Sequence, residues 1–159
     1  MTLYVFALLI GVIAGLRAMT APAAVAWGAH LGLIPLEGTP LAWLGGNIAV
    51  WAFTAVAVLE LVSDQLPKTP SRKVPPLITR VISGAFCGAA IGLLGPSVFS
   101  LDAWIGAALA GAVGAVIGTL GGADARGRLA RLFGKDLPAA LLEDVVAIGG
   151  AVLIVVAAK

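Results

Sequence analysis

Apolar residues fall into six blocks along the chain, at about 3–19, 22–35, 41–62, 76–95, 101–121 and 138–158, with charged and turn-forming residues gathered between them. An α-helix needs about 20 residues to cross the hydrocarbon core of a bilayer, and four of the blocks reach that length. The pattern predicts an all-α, polytopic membrane protein of about five crossing helices, built as a single domain over 1–159. The first two blocks are separated by Arg17-Ala-Met-Thr20-Ala-Pro22. Thr20 can cap a new helix there, and Pro22 suits its first turn because the amide it lacks would be unpaired anyway. The first segment is therefore expected to be interrupted near Thr20–Pro22, with the 22–35 leg running from mid-membrane outward.

Composition agrees with this reading. The chain is 60% apolar and only 11% charged, with a mean hydropathy of +1.07, which leaves too little polar surface to cover a soluble domain. Its net charge of +2 comes from short basic stretches between apolar blocks, a topology signal that excludes nucleic acid as a partner. Lys68, Arg72 and Lys73 lie in one stretch, and Arg126, Arg128, Arg131 and Lys135 in another. The positive-inside rule puts both loops, 63–75 and 122–137, on the cytoplasmic side of a bacterial inner membrane. The loops 35–40 and 95–102 carry no lysine or arginine and are followed by Trp43 and Trp104, interfacial aromatics that mark the outer face; Trp27 and His30 suit the same interface. Cys87, the single cysteine, sits in an apolar run and reads as packing.

Two hairpins open alike, with Leu41-Ala-Trp-Leu-Gly and Leu101-Asp-Ala-Trp-Ile-Gly, which suggests a duplicated two-helix unit. Gly84, Gly88 and Gly92 share one helix face, as do Gly114, Gly118 and Gly122. Such seams let backbones come together, either within the chain or across a homodimer. The stretch 121–134 reads as a short basic amphipathic helix lying along the membrane surface, attracted to anionic membrane lipids.

Ionisable residues inside apolar blocks are costly and mark working positions. Counting about 1.5 Å of rise per residue puts Arg17, Glu60, Arg80, Glu143 and Asp144 in one layer in the cytoplasmic third of the membrane. Their opposite charges predict mutual pairing, either as a purely structural network or as the lining of a path for a small solute or ion. The amides and positive dipole end of a helix starting at Thr20 favour an anion in this region. Alternatively, Glu60 with Asp64, and Glu143 with Asp144, offer oxygen ligands to a divalent cation, the one cofactor the pattern suggests. Asn47 and Thr54 are polar groups within a span, better explained by an interhelical hydrogen bond than by a pore lining. No Ser-His-Asp set, HExxH motif or phosphate-binding loop is present in the sequence.

The segments Gly15-Leu-Arg-Ala-Met-Thr-Ala-Pro22, Glu60 with Asp64-Gln-Leu-Pro-Lys-Thr-Pro-Ser-Arg72, Arg80 with Ser83-Gly-Ala85, and Leu142-Glu-Asp144 together resemble the bacterial membrane family filed as domain of unknown function 4126. The likeness spans nearly the whole chain, and Lys73 departs from it where a small residue is expected. It implies membrane residence and directs attention to the same polar positions, without naming a substrate. The leading expectation is a small transporter or channel-like protein using Arg17, Thr20, Glu60, Asp64, Arg80, Glu143 and Asp144. A membrane enzyme acting on a lipid phosphate with a divalent cation, and a structural protein with an internal ion-pair network, are the alternatives.

Overall fold

The computed structural model describes residues 2–64, 75–95 and 101–158. Among these residues the fold is all helical: α1 (Thr2–Leu16), α2 (Thr20–His30), a 3-10 turn (Ala42–Gly45), α3 (Asn47–Asp64), α4 (Pro75–Gly92), α5 (Leu101–Phe133) and α6 (Asp136–Ala157). Helices α3, α5 and α6 are long and apolar enough to cross a membrane, and α1 and the 77–92 part of α4 are shorter apolar helices. The chain is a membrane-embedded helical protein.

Small residues decide how the helices meet. Helices α1, α4 and α5 form the tightest group, converging at Gly11, Gly84 and Gly111. A Cβ on Gly111 would overlap the Gly84 carbonyl, and one on Gly11 would overlap the Gly111 carbonyl. Further along, Gly88 and Gly92 face Ala107 of α5, whereas Gly114 and Gly118 face Leu8 and Val12 of α1. Both glycine seams are thus closed within one chain. Without a hydrophobic drive between helices in lipid, this close approach and its dispersion contacts supply the cohesion.

The same contacts give the helix directions. Tyr4 meets Gly106, Gly11 meets Gly111 and Gly15 meets Ala115, so α1 runs parallel to α5. On α6, Gly150 meets Ile13 of α1, while Arg17 reaches Asp144, so α1 runs against α6. Gly28 of α2 meets Val155, further along α6, so α2 runs with it. Helices α1 and α2 are therefore antiparallel legs of a V, and the chain reverses direction at residues 17–19. The interruption expected near Thr20–Pro22 is thus a reversal of direction, and among the described residues six α-helices make up the bundle. At about 1.5 Å per residue, α1 and α2 are roughly 22 and 16 Å long, short of the about 30 Å core. The second leg ends beside the start of α3, where His30 meets the carbonyl of Gly45 at 2.9 Å.

One other expectation is corrected. Residues 121–133 are helical but not a separate surface helix: α5 continues through them to Phe133, about 50 Å in all. No proline lies between Leu101 and Phe133 to stop it, and it ends where Gly134 takes φ +68°. The two look-alike hairpin openings also differ. Trp104 lies within the first turn of α5, but the Gly45-Gly46 pair stops the helix after Trp43, leaving a 3-10 turn and a fresh start at Asn47. Helix α5 is then the hub of the bundle, whereas α3 lies at its edge, packed against α2 and the 3-10 turn. The interhelical bond expected of Thr54 is present: its hydroxyl accepts from Trp27 Nε1 at 3.0 Å. Cys87 is fully buried in the apolar core.

Candidate functional site

Reversing a chain inside a membrane leaves backbone groups without partners, and in hydrocarbon each costs several kcal/mol. In a continuous helix the amides of Ala18 and Met19 would bond to the carbonyls four residues back. Here both are diverted to one side chain of α3: Ala18 N–H donates to Glu60 Oε1 and Met19 N–H to Glu60 Oε2, each at 2.8 Å. The Gly15 carbonyl, released by Met19, accepts from Thr119 Oγ1 of α5 at 3.1 Å. The Ala18 carbonyl accepts from Ser83 Oγ of α4. Three different helices thus satisfy the turn.

Glu60 thus holds the two amides just ahead of α2, where the sequence pointed to Thr20 as the cap. Thr20 is the first residue of α2, the capping position belongs to Met19, and no side chain next to it in sequence caps the helix. Pro22 does sit in the first turn, as expected. The Glu60 carboxylate already occupies the place at the start of α2 where a free anion was expected, for the same electrostatic reason. Thr20 itself is buried, and its hydroxyl has no hydrogen-bond partner among the described residues.

Arg17 stands at the tip of the V and is fully buried. Its Nη1 pairs with Asp64 Oδ2 at the end of α3, and its Nη2 lies 2.6 Å from Asp144 Oδ1 and 3.9 Å from Glu143 Oε2 on α6. The network continues outward, since Glu143 Oε2 is also 3.4 Å from Arg126 Nη1 of α5. Arg126 in turn grips Asp136 through Nη2 and Nε at 2.7 and 3.1 Å. Arg80 of α4 lies within electrostatic reach of Glu143. Of the residues expected in one layer, Arg17, Glu60, Glu143 and Asp144 are drawn together at the chain reversal, and Asp64 joins them.

No family model, curated protein or solved structure matches the chain. The Leu-Pro-Lys-Thr-Pro-Ser-Arg loop on which the expected family resemblance drew lies outside the described residues.

Chemically the site is a guanidinium enclosed by carboxylates. Among the described residues no group of three or more His, Cys, Asp or Glu side chains is placed to hold a metal ion. Arg17 lies among the acidic side chains of Asp64, Glu143 and Asp144. Sequence reasoning missed Arg126, Asp136, Ser83 and Thr119 as members. In the sequence Arg126 is a topology signal and part of the basic 121–134 stretch, Ser83 stands out only within the motif it shares with Arg80, and Thr119 looks like an ordinary small polar residue of a span. Beside the turn, Met19, Pro22, Trp43, Phe53, Ile82 and Phe86 line most of an apolar cleft of about 330 Å³ between α3 and α4.

Proposed function

We propose that the chain is a small transporter or channel-like protein of the bacterial inner membrane, and that the carboxylate-enclosed Arg17 at the tip of the α1–α2 V is its solute or ion site. In this reading the 63–75 and 122–137 regions face the cytoplasm. One observation carries it: a fully buried guanidinium sits at a chain reversal within the helical bundle, held by ion pairs from α3 and α6. Broken helices whose ends meet charged groups near the membrane interior are how many transporters build a site that can exchange partners. Helix α3 supplies both Glu60 and Asp64 and lies at the edge of the bundle, so its displacement would uncover the turn amides and Arg17 together.

The test is electrical and uses the purified chain in liposomes adsorbed to a sensor surface. Concentration jumps of protons, monovalent cations, chloride and small zwitterions are applied to wild type, Arg17→Lys and Asp144→Asn. The expected result is a current or uptake signal for one class that both variants lose while still eluting as folded protein. Lysine cannot span two carboxylates as the planar guanidinium does, so even this change of like charge is expected to fail. Folded wild type that moves nothing, or variants that move the solute equally fast, would sink the reading.

A structural role has one observation in its favour, that four backbone groups at the turn are satisfied by side chains from other helices. It predicts that exchanging the charges of Arg17 and Asp144 restores stable expression lost in either single variant, with no transport signal in any form.

A further inference from the structure

We propose that Glu143 is a proton-binding site that links the buried Arg17 layer to the basic end of the molecule; this rests on reading that layer as a working site. Arg17 is held at 2.6 Å by Asp144 and closely by Asp64, while Glu143 stands 3.9 Å away and shares the same oxygen, Oε2, with Arg126 at 3.4 Å. It is the most loosely held carboxylate around Arg17. Side-chain exposure rises stepwise along the connected groups, from 0% at Arg17 through 13% at Glu143 and 25% at Arg126 to 64% at Asp136. The other oxygen, Oε1, faces Gly122 of α5, where an added Cβ would stand 3.4 Å away.

Every element around Glu143 brings charge to bear on it. Arg17 from the α1–α2 turn, Arg126 from α5 and Arg80 from α4 present positive charge to it, and Asp144 on its own helix presents negative charge. Asp64 of α3 acts from the far side through its fields at Arg17 and Arg126. Neither arginine gives up a proton at attainable pH, so neither relays one. The proton passes from hydronium at the Arg126–Asp136 edge to a Glu143 carboxylate oxygen; one O–H bond forms, and water is left. Once Glu143 is neutral, Arg126 keeps Asp136 and Arg17 keeps Asp64 and Asp144. Protonation at Glu143 therefore cuts the link between the buried and exposed halves without stranding a cation. The same step at Asp64 or Asp144 would remove a close partner of a fully buried guanidinium.

The experiment is infrared difference spectroscopy of the full chain in lipid nanodiscs between about pH 8 and pH 5, the range in which buried carboxylates titrate. A carbonyl band of protonated carboxyl is expected in wild type and in Glu37→Gln, and is expected to vanish in Glu143→Gln. The partner variants fix the assignment even if Glu143→Gln fails to fold. In Arg126→Gln the band sets in at higher pH, and in Asp136→Asn, which leaves Arg126 freer to hold Glu143, at lower pH, each by roughly one unit. A band that survives in Glu143→Gln, no band in the range, or partner variants that shift it alike would overturn the proposal. The two readings fail separately. A titrating Glu143 in a chain that moves no solute removes transport and keeps the proton site, whereas transport with a silent Glu143 does the reverse.

Discussion

Glu60 carries a burden out of proportion to one side chain, because its two oxygens take both amides that the chain reversal sets free. Replacing it with glutamine keeps one acceptor and turns an NH2 group toward the second amide, a donor facing a donor. The expected cost is about 1–3 kcal/mol, the range for leaving a buried polar group unsatisfied, and Glu60→Ala should cost more. Thermal unfolding in detergent reads the order, and equal midpoints for wild type and Glu60→Gln would show that the carboxylate does not hold the turn. The sequence showed that Glu60 was costly in its place and put it at the depth of Arg17, since charge in lipid is legible from composition and counting. It did not show that Glu60 holds the two amides just ahead of α2. Capping by Thr20 follows from neighbours in sequence, whereas the observed acceptor comes from another helix, and no local pattern encodes that.

At the level of elements, the packing of α1, α4 and α5 hangs on one point where three glycines meet. Gly111→Ala puts a methyl group against the Gly84 backbone, which cannot rotate away as a side chain can. The expected penalty is at or above the about 1–3 kcal/mol typical of overpacking, seen as a lowered melting temperature and easier proteolysis in micelles. Gly121→Ala, where an added Cβ meets nothing within 4 Å, serves as the neutral comparison. Matching stability in the two variants would mean that the seam tolerates separation. The glycine faces were visible as spacing in the sequence. Their partners were not, because a small residue advertises closeness without saying to what. The two look-alike hairpin openings differ for a related reason: tryptophan and glycine at an interface describe where a segment starts and say nothing of how it packs.

For the molecule as a whole, the parallel course of α1 and α5 places the start of α1 and the extended end of α5 on opposite sides. Single cysteines at Thr2 and Gly127, introduced into a Cys87→Ala background, should react with a membrane-impermeant maleimide from opposite faces of sealed vesicles. Labelling of both from one face would mean that α1 and α2 run on as a single crossing. Hydropathy could not settle this, since an interrupted span and a V have the same composition and differ only in what holds the interruption.

The placement of Arg17 also bears on how the protein is made. Its ion-pair partners lie at Asp64 and on the Leu142-Glu-Asp144 run of α6, and Glu60 holds the neighbouring amides. While the ribosome is still short of α3, the arginine and two bare amides have nothing of their own chain to meet. A lone arginine in hydrocarbon is costly, so the nascent α1–α2 pair would keep its tip at the water's edge or in the insertion machinery until α3 arrives. It would take its final depth only after α6 is delivered. The helices synthesised first are thus the ones whose burial is completed last.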